Sequence, residues 1–392
     1  MISPRCVLIV GAGLAGARCA ETLRAGGFDG EVVLAGAEPV PPYERPALSK
    51  EHLAGDKDAS AVELRPRSFW PENGIELLLG RRVTAVDLGA HTAQTDTGQV
   101  LGWDALVLAT GSRPQMLPGW TGPGVHTLRT LADAAGLRAE LGAGVRLAIV
   151  GAGFVGTEVA STALSLGASV TLVDMTTTPL ERVLGTEVGT QLASRYRENR
   201  VDLQLGVGVE RLERASDGRP RALVLADESE IAADVVVVAV GVRPEVERLA
   251  AFGPAGIATD ACGRTGIPGV YAAGDVACSW HPRLGRALRV EHWTSAAGQG
   301  AAVAHAVLGE ERPFEALPYF WSDQFGLRLQ YVGHTESWAA VELDGEPGSF
   351  VARYLDGQGQ PLAALAVNRS AEVGRLRAEL ADALTERTAL AA

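Results

Sequence analysis

The chain has 392 residues, of which 47% are hydrophobic and 21% charged, so it is long enough for two or three domains with sizeable buried cores. Its 35 basic and 47 acidic residues give a formal net charge of −12, which argues against nucleic acid as a bulk partner. No segment reaches the roughly 18 apolar residues that a membrane helix needs. We therefore expect a cytoplasmic protein that does not enter membranes.

The first predicted element is a buried strand that runs directly into a glycine-rich turn. Residues 6–10 are apolar and are followed by Gly-Ala-Gly-Leu-Ala-Gly at 11–16, with a helix predicted over 13–25. In such a turn, the first glycine permits the bend, the second lets the backbone approach a pyrophosphate, and the third lets helix pack on strand. The helix N-terminus offers free N–H groups to the phosphates. Because the apolar run is short and continues into this turn, we interpret it as a strand and not as a signal peptide.

The same pattern returns 140 residues later, at position 151 against position 11. Apolar residues 147–150 run into Gly-Ala-Gly-Phe-Val-Gly at 151–156, and a helix is predicted over 155–166. One such turn is a weak signal, because a strand–helix turn can need glycines for packing alone. Two of them, each after an apolar strand, predict two dinucleotides in one chain. A flavin and a nicotinamide are the economical pair.

The two halves of the chain share a longer plan after each glycine turn. A second strand is predicted at 31–35 and again at 169–174. Short alternating strands follow, at 82–87, 92–95 and 100–101 in the first half and at 207–213, 222–226 and 229–231 in the second. Each half then closes with an apolar strand and a turn, at 104–114 and 234–244. The repetition predicts two copies of one dinucleotide-binding module.

Other segments connect these modules or follow them. Leucines at 128, 131, 137 and 141 predict a helix between the modules. After the second module, a strand within 269–276 ends in Gly-Asp, and a helix is predicted over about 295–308. Pro313 and Pro318 mark a boundary, and from about Glu315 alternation predicts an antiparallel sheet. The chain then ends in an amphipathic helix with Val373, Leu376, Leu380 and Leu384 on one face. This tail is too short for a third module, so we interpret it as an interface domain.

Neither the cysteines nor the seven histidines suggest a metal site. The histidines show no metal-ligand spacing. No C-x-x-C pair is formed by the four cysteines, Cys6, Cys19, Cys262 and Cys278. We interpret the thiols as buried or half-buried in a reducing compartment, and we predict no metal.

Four segments make the chain resemble the FAD-dependent, NADH-linked ferredoxin reductases. They are Pro-Tyr-Glu-Arg-Pro-Ala-Leu-Ser-Lys at 42–50, Ala-Thr-Gly-Ser-Arg-Pro at 109–114, Arg-Val-Glu-His-Trp-Thr-Ser-Ala at 289–296 and Pro-Tyr-Phe-Trp-Ser-Asp-Gln at 318–324. The resemblance covers nearly the whole chain. It implies an α/β fold of the glutathione-reductase type, with two Rossmann-like dinucleotide-binding domains and a C-terminal α+β domain. It assigns FAD to a discontinuous domain of 1–114 and 242–314, NADH to 115–241, and the interface role to 315–392.

The resemblance also implies which residues hold the FAD. Its pyrophosphate would lie on Gly11, Gly13, Leu14, Ala15 and Gly16. The other implied FAD contacts are Glu38 at the adenosine ribose, Arg45, Pro46 and Lys50 over the flavin, the backbone of Val83 at the adenine, Ala109, Thr110 and Gly111, Arg129, Gly274 and Asp275 at the phosphate and ribityl chain, and Glu291, His292, Trp293 and Ala296 at the isoalloxazine.

Three of these assignments keep a second interpretation. Glu38 is the only acidic candidate after the second strand, where the family usually places acidic residues, and a solvated loop charge is its alternative. Lys50 would stabilise negative charge on the reduced flavin, although without the family motif it would be a helix-surface lysine. Trp293 would shield the flavin or pass electrons outward, and core packing is its alternative.

The second glycine turn is assigned to NADH by the same resemblance. The implied contacts are Gly151, Gly153, Phe154, Val155, Gly156 and Gly241. Asp174 ends the second strand, where a carboxylate accepts hydrogen bonds from the ribose hydroxyls and repels a 2′-phosphate. Because the run Met-Thr-Thr-Thr at 175–178 contains no arginine, NADH is favoured over NADPH. Glu158 resembles a residue near the nicotinamide, and a first-turn glutamate favoured by the helix dipole is an equal alternative.

The implied reaction passes a hydride from NADH to FAD and then single electrons to a [2Fe-2S] ferredoxin that feeds a cytochrome P450 or a ring-hydroxylating dioxygenase. Lys50, Glu158 and Trp293 are its candidate catalytic residues. An acidic ferredoxin would suit a local basic patch, for which the candidates are Arg283, Arg286, Arg289, Arg312 and Arg328. Solvated arginines are the alternative. The family implies a monomer or a weak homodimer.

Other flavoprotein classes differ from this chain in specific segments. Disulfide reductases need a redox cysteine beside the flavin, whereas the first-domain loop here has Tyr43 and no cysteine. Rubredoxin reductases, nitrite reductases and NADH oxidases share the glycine turns but lack the Glu-His-Trp and Phe-Trp-Ser-Asp segments together, and an NADH reductase with rubredoxin or another acceptor stays open as the second interpretation. Apoptosis-inducing-factor-like flavoproteins, which bind NADH and respond by changing assembly, stay open as a non-enzymatic alternative.

Overall fold

The computed structural model describes residues 4–247, 249 and 252–391, with side chains as far as residue 385. The chain divides into two compact units. The first unit comprises Met1–Glu44, Glu63–Arg113 and Arg243–Phe320, and the second comprises Arg45–Val62, Pro114–Val242 and Trp321–Ala392.

A five-stranded parallel sheet forms the centre of the first unit. Its strands lie in the order Val270–Ala272, Ala105–Leu108, Cys6–Val10, Glu31–Gly36 and Ile75–Leu79. Cys6–Val10 is almost wholly apolar because both faces of the sheet are covered. Val7 and Ile9 pack into one apolar core, and Leu8 and Val10 pack into another. The helices Leu14–Ala25 and Trp293–Val307 contribute to the first of these cores.

Smaller elements complete the first unit. One three-stranded antiparallel sheet is formed by Val83–Asp87, Thr92–Thr95 and Val100–Gly102. Another sheet contains Ile257–Thr259, Ala277–His281 and Arg286–Leu288. The short helix Phe69–Glu72 and the short strand Ser112–Pro114 lie between the larger elements.

The second unit repeats the parallel sheet. Its strand order is Asp202–Leu205, Ser169–Asp174, Arg146–Val150, Val235–Val238 and Val125–His126. An antiparallel sheet follows, formed by Val209–Arg214, Pro220–Leu225 and Glu230–Ala232. The other elements before the tail are Arg45–Ser49, Glu51–Ala54, Ser60–Val62 and the helices Leu131–Glu140, Phe154–Ser165 and Glu181–Glu198, which is interrupted at Gly185. The strand Val242–Pro244 begins with the last residue of the segment Pro114–Val242 and continues into the first unit.

The C-terminal part of the chain is a five-stranded sheet followed by a helix, as predicted. The strand order is Tyr319–Gln324, Leu327–Gly333, Pro361–Val367, Ser349–Leu355 and Ala340–Glu346, and Ser370–Glu372 leads into the helix Val373–Ala391. Val373, Leu376 and Leu380 are buried and Leu384 is partly buried, so the predicted apolar face of this helix is confirmed.

The repeated α/β architecture is therefore confirmed, whereas some boundaries shift. The helix predicted over 128–141 extends from Leu131 to Glu140, so the prediction was wrong for Leu128 and for Leu141, which is the C-cap. A capping box at the N-terminal end explains the first of these differences: the Thr130 hydroxyl accepts the Asp133 N–H (3.1 Å), and the Asp133 carboxylate accepts the Thr130 N–H (2.9 Å). The alternating strands of the second half move by one or two residues, to the bounds given above.

Several elements were not predicted, and three of them form part of the sheet and helix layers. These three are the helix Glu181–Glu198 and the edge strands Ile75–Leu79 and Asp202–Leu205. The helix breaks its own pattern at Gly185, and the edge strands form by pairing to a neighbouring strand that lies far away in sequence.

All four thiols are free. Cys19 and Cys262 are buried, and Cys6 and Cys278 are half-buried, as predicted. Within the described residues, no cluster of three histidine, cysteine or carboxylate side chains is suited to a metal ion. None of the helices in the described part of the chain combines the length and the apolar character that crossing a membrane requires.

Candidate functional site

In the first unit, four candidate FAD contacts follow neighbouring strand ends. Gly11, Glu38, Ala109 and Gly274 each lie within two residues of the carboxyl end of one of four adjacent strands in the parallel sheet. Parallel strands end at the same edge, and open α/β sheets bind ligands there. The topology therefore gathers residues that are more than 200 positions apart in sequence, such as Gly11 and Gly274.

The first glycine turn has one open position and two crowded ones. Gly11 adopts a φ of +119°, and a Cβ there would lie 2.0 Å from the Ala109 carbonyl oxygen. A Cβ at Gly16 would lie 2.1 Å from the Gly11 carbonyl oxygen. At Gly13, a Cβ would meet no atom of the described residues within 4 Å. The first and third glycines are thus required by packing, and the second leaves its backbone open.

The second glycine turn has the same geometry. Gly151 has a φ of +110° and its Cβ would lie 2.3 Å from the Ala239 carbonyl oxygen, while a Cβ at Gly156 would lie 2.0 Å from the Gly151 carbonyl oxygen. A Cβ at Gly153 would meet no described protein atom within 4 Å. The helix that follows begins at Phe154, and Val155 in its first turn is 41% exposed.

Both helices begin without a side-chain cap. Gly13 and Gly153 are the N-cap residues, and within the described residues no side chain accepts a hydrogen bond at either cap. Neither first turn contains an acidic residue. The helix after Thr130, by contrast, is fully capped. Uncapped N–H groups at a helix N-terminus form a site for an anion, so the two turns fit two pyrophosphates.

Several other FAD candidates of the first unit have defined partners. Asp275 accepts a hydrogen bond from the Ser112 hydroxyl (2.7 Å), and the Gly274 N–H donates to the Gln299 side-chain oxygen (2.8 Å). Glu38 accepts from the Tyr43 hydroxyl (2.7 Å). Glu38 is therefore an ordered carboxylate and not a freely solvated charge.

The Glu-His-Trp segment lies at the start of the helix Trp293–Val307. The Trp293 indole N–H donates to the Glu44 carboxylate (2.6 Å), and this contact fixes the plane of the half-buried ring. The His292 ring lies 4.9 Å from the Phe320 ring. Glu291 forms an ion pair with Arg289 (2.5 Å).

The remaining first-unit candidates lie in packed surroundings. Val83, Ala109 and Ala296 are buried, so the Val83 side chain belongs to the core and only its backbone would face a ligand. The Thr110 hydroxyl donates to the Glu245 carbonyl oxygen (2.8 Å). Gly111 adopts a φ of +75°.

A buried ion pair is the main polar feature of the second unit. The Lys50 ammonium lies 2.6 Å from the Glu158 carboxylate, and their side chains are only 15% and 8% exposed. Glu158 also accepts hydrogen bonds from the hydroxyls of Ser49 (2.5 Å) and Ser322 (2.6 Å). Lys50 is therefore not a solvated surface lysine. Glu158 lies beyond the first turn of its helix, so it is not the first-turn glutamate of the alternative interpretation.

The surroundings of this pair are also ordered. The Lys50 ammonium donates to the Pro46 carbonyl oxygen (3.0 Å). The Gln324 amide donates to the Ser322 hydroxyl (3.0 Å) and accepts from the Tyr196 hydroxyl (2.7 Å). Burial raises the pKa of Tyr196, so this hydroxyl stays protonated. The chain of contacts fixes Ser322 where it meets Glu158.

Two arginines of the candidate list also meet in the second unit. The Arg45 guanidinium donates to the Arg129 carbonyl oxygen, and the Arg129 N–H donates to the Asp133 carboxylate (3.0 Å). Arg45 is thus tied to the segment that caps the helix Leu131–Glu140.

Asp174 joins the end of its strand to the glycine turn. One carboxylate oxygen accepts the Ala152 N–H (2.6 Å), and the other accepts the N–H and the hydroxyl of Thr176 (2.9 Å each). Gly241 follows the strand Val235–Val238, which pairs with Arg146–Val150, and it has a φ of +102°. Its carbonyl oxygen accepts the Gln115 N–H (2.9 Å). The second unit therefore repeats the strand-end arrangement of the first.

The five arginines of the predicted basic patch differ in their surroundings. Ion pairs join Arg289 to Glu291 (2.5 Å), Arg312 to Glu310 (2.9 Å) and Arg328 to Asp323 (3.0 Å). Arg283 and Arg286 are both partly exposed. The carboxylates offset part of the positive charge that the sequence suggested.

Sequence reasoning missed many polar partners of the candidate residues, and five of them show which signal was available. These five are Glu44, Ser49, Ser112, Gln299 and Ser322. All except Gln299 lie inside the four segments that carry the family resemblance, which was the available signal.

Comparison with known proteins agrees with this geometry. Residues 5–300 match the family model described as pyridine nucleotide-disulphide oxidoreductase, and residues 319–392 match the one described as reductase C-terminal. The ferredoxin–NAD(+) reductase component of an anthranilate 1,2-dioxygenase system from Burkholderia cepacia is 39% identical over 377 residues, which are 94% of this chain and 92% of the relative. The corresponding component of a biphenyl dioxygenase system from Paraburkholderia xenovorans is 36% identical over 379 residues (93% and 90%).

A solved structure is similarly close. The crystal structure of the covalent putidaredoxin reductase–putidaredoxin complex matches with a TM-score of 0.93 and 34% identity, over 96% of this chain and 93% of that one. The predicted resemblance and fold class are therefore confirmed. The chain belongs to the pyridine nucleotide-disulphide oxidoreductase family with a reductase C-terminal domain, and it is an NAD-linked oxidoreductase of the ferredoxin reductase group that uses a flavin and a nicotinamide nucleotide.

Proposed function

We propose that the protein passes electrons from NADH through FAD to a [2Fe-2S] ferredoxin that supplies a cytochrome P450 or a ring-hydroxylating dioxygenase. The observation that carries this proposal is the repeated strand–glycine turn–helix arrangement, with an open second glycine and an uncapped helix in each unit. Two relatives named as ferredoxin–NAD(+) reductase components of dioxygenase systems support the acceptor.

FAD is proposed for the first unit, because the adenosine and ribityl candidates lie there at one sheet edge. When bound, FAD accepts a hydride and releases single electrons. Gly13 would approach its pyrophosphate, Glu38 would accept hydrogen bonds from the adenosine ribose, and Asp275 would orient the ribityl chain. The Ser112 hydroxyl holds the Asp275 carboxylate for this task.

NADH is proposed for the second unit. Gly153 would approach its pyrophosphate. The Asp174 carboxylate accepts hydrogen bonds from Ala152 and Thr176, and its remaining lone pairs would accept hydrogen bonds from the hydroxyls of the adenosine ribose. The domain assignment of 1–114 with 242–314 to FAD, 115–241 to NADH and 315–392 to the interface is part of this proposal.

The proposed catalytic side chains act through position and charge. Lys50 would place a cation near the isoalloxazine, and Glu158 holds that cation in place through the 2.6 Å ion pair. Trp293 would cover the isoalloxazine, with its ring oriented by Glu44.

Anaerobic stopped-flow reduction tests the proposal directly. We expect NADH to bleach the flavin absorbance rapidly and a [2Fe-2S] ferredoxin to be reduced next, whereas NADPH reacts much more slowly because Asp174 repels its 2′-phosphate. Rapid bleaching without transfer to any of several ferredoxins would overturn the proposed acceptor and indicate rubredoxin or oxygen. Slow bleaching with a lasting charge-transfer band and a change of oligomeric state would indicate an NADH-sensing flavoprotein.

Charge reversal at Arg312 tests the proposed acidic partner. Arg312 is 63% exposed and its carboxylate partner Glu310 is itself partly exposed, so the ion pair contributes little to stability. Arg312→Glu is expected to raise the KM for ferredoxin about three- to tenfold at low salt, and the difference should shrink at high salt.

The flavin reduction rate by NADH serves as the internal control, since Arg312 is not a proposed nucleotide contact. An unchanged KM and an unchanged salt dependence would remove Arg312 from the docking surface.

A further inference from the structure

The loop after Asp174 is held by a carboxylate that comes from the helix beyond it. One oxygen of Glu181 accepts the N–H of Thr177 (2.8 Å), the N–H of Thr178 (2.9 Å) and both hydroxyls (2.7 and 3.3 Å). These hydrogen bonds, led by the Thr177 hydroxyl, lower the pKa of Glu181 and keep it ionised at neutral pH. Four donors thus converge on a single anionic oxygen.

The donors of this loop are divided between two carboxylates. Asp174 takes the N–H and hydroxyl of Thr176, and Glu181 takes those of Thr177 and Thr178. Successive backbone N–H groups that point into one concavity are a donor set that proteins use to hold phosphate. In this chain, the Glu181 carboxylate already occupies the concavity next to Asp174.

Close packing keeps the loop in this conformation. A Cβ at Gly189 would lie 2.2 Å from the Thr178 hydroxyl and 2.7 Å from the Pro179 carbonyl oxygen. The helical segment therefore lies directly against the loop, and any side chain larger than hydrogen would push the two apart. Thr178 and Pro179 are buried, so the loop has little freedom to turn its donors elsewhere.

We propose that Glu181 is a specificity-determining residue that excludes NADPH, because its carboxylate occupies the donors that a 2′-phosphate would need and places a negative charge beside them. The inference rests on the proposed NADH site. In Rossmann-type domains, an acidic residue at the end of the second strand binds the ribose, and the 2′-phosphate, where it is accepted, is held by cations nearby. Here Asp174 occupies the first of these positions. The loop at 175–180 supplies hydroxyls and no cation, and the helix beyond it supplies the Glu181 carboxylate.

Two substitutions separate the charge of Glu181 from its structural role. Glu181→Gln retains an acceptor oxygen for the Thr177 and Thr178 N–H groups and removes only the charge. Glu181→Ala removes the charge and the acceptor together, and leaves the donors free. Glu198→Gln is the matched control, because it makes the same change of net charge at the far end of the same helical segment, where Glu198 pairs with Arg195 (3.2 Å).

The experiment measures kcat/KM of the flavin-loaded protein for NADPH and for NADH with ferricyanide as acceptor, and the calorimetric affinities of 2′,5′-ADP and 5′-AMP. We expect the NADPH-to-NADH ratio to rise about fivefold in Glu181→Gln and about tenfold or more in Glu181→Ala, with the affinity for 2′,5′-ADP rising in parallel. Glu198→Gln should leave unchanged both the NADPH-to-NADH ratio of kcat/KM and the ratio of the affinities for 2′,5′-ADP and 5′-AMP.

Unchanged ratios in Glu181→Gln would overturn the inference and leave Glu181 with a purely structural role. This variant decides the matter even if Glu181→Ala does not fold. An unsubstituted protein that binds neither 5′-AMP nor NADH would instead overturn the proposed NADH site, so the two failures are distinguishable.

Discussion

Gly153→Ala is expected to weaken NADH binding about 10- to 100-fold while the free energy of unfolding changes by less than about 1 kcal/mol. A Cβ at this position meets no described protein atom within 4 Å, so the fold itself has room for it. The added methyl group would instead occupy the space where the backbone is proposed to approach the pyrophosphate. Titration with NADH and urea unfolding of the same preparation measure the two effects.

Gly156→Ala is the matched control for this prediction. Its Cβ would lie 2.0 Å from the Gly151 carbonyl oxygen and 3.3 Å from a methyl group of Ile149, so helix and strand would have to separate. We expect a loss of about 3 kcal/mol of stability in this variant. If Gly153→Ala binds NADH as tightly as the unsubstituted protein, the pyrophosphate does not lie on this turn.

Lys50→Met is expected to lower the free energy of unfolding by about 3 kcal/mol, because it leaves the Glu158 carboxylate buried without its cation. The Ser49 and Ser322 hydroxyls remain, but they cannot neutralise the charge. If Lys50 also lies near the isoalloxazine, the rate of flavin reduction by NADH should fall about 100-fold. Urea unfolding and stopped-flow absorbance measure the two quantities.

Two further variants complete this test. The double variant Lys50→Met with Glu158→Leu should recover much of the lost stability without recovering the rate, since a buried ion pair can be replaced by apolar side chains. Lys57→Met, in an exposed ion pair with Glu51 (3.7 Å), should change stability by less than about 1 kcal/mol. A Lys50→Met protein that is destabilised but reduced by NADH at the normal rate would show that the pair is structural only.

The elements predicted correctly from sequence are those that depend on residues close to one another along the chain. The strand, glycine turn and helix at 6–25 follow one another along the chain, and each step has its own signature in residue type and spacing. The repetition of the whole plan made the second module predictable from the first. The same reasoning failed at Leu128, where a capping box overrode the leucine spacing.

The network around Glu158 shows why other residues escaped prediction. Its hydroxyl donors Ser49 and Ser322 lie 109 and 164 positions away in sequence. A serine has no periodicity that marks it as a partner, and only the path of the chain decides which carboxylate it meets. Lys50 and Glu158 were each selected by family resemblance, but their ion pair was not predicted.

By itself, the sequence determined the number of dinucleotide-binding modules, their α/β class and the residues of each glycine turn, because turns, apolar strands and helix starts depend on neighbours within a few positions. Only the tertiary structure decided that Glu44 orients Trp293 and that Glu181 occupies the loop donors beside Asp174. Each of these contacts needs a donor and an acceptor within hydrogen-bond distance, and such distances are set by the packing of whole elements and not by the spacing of residues along the chain.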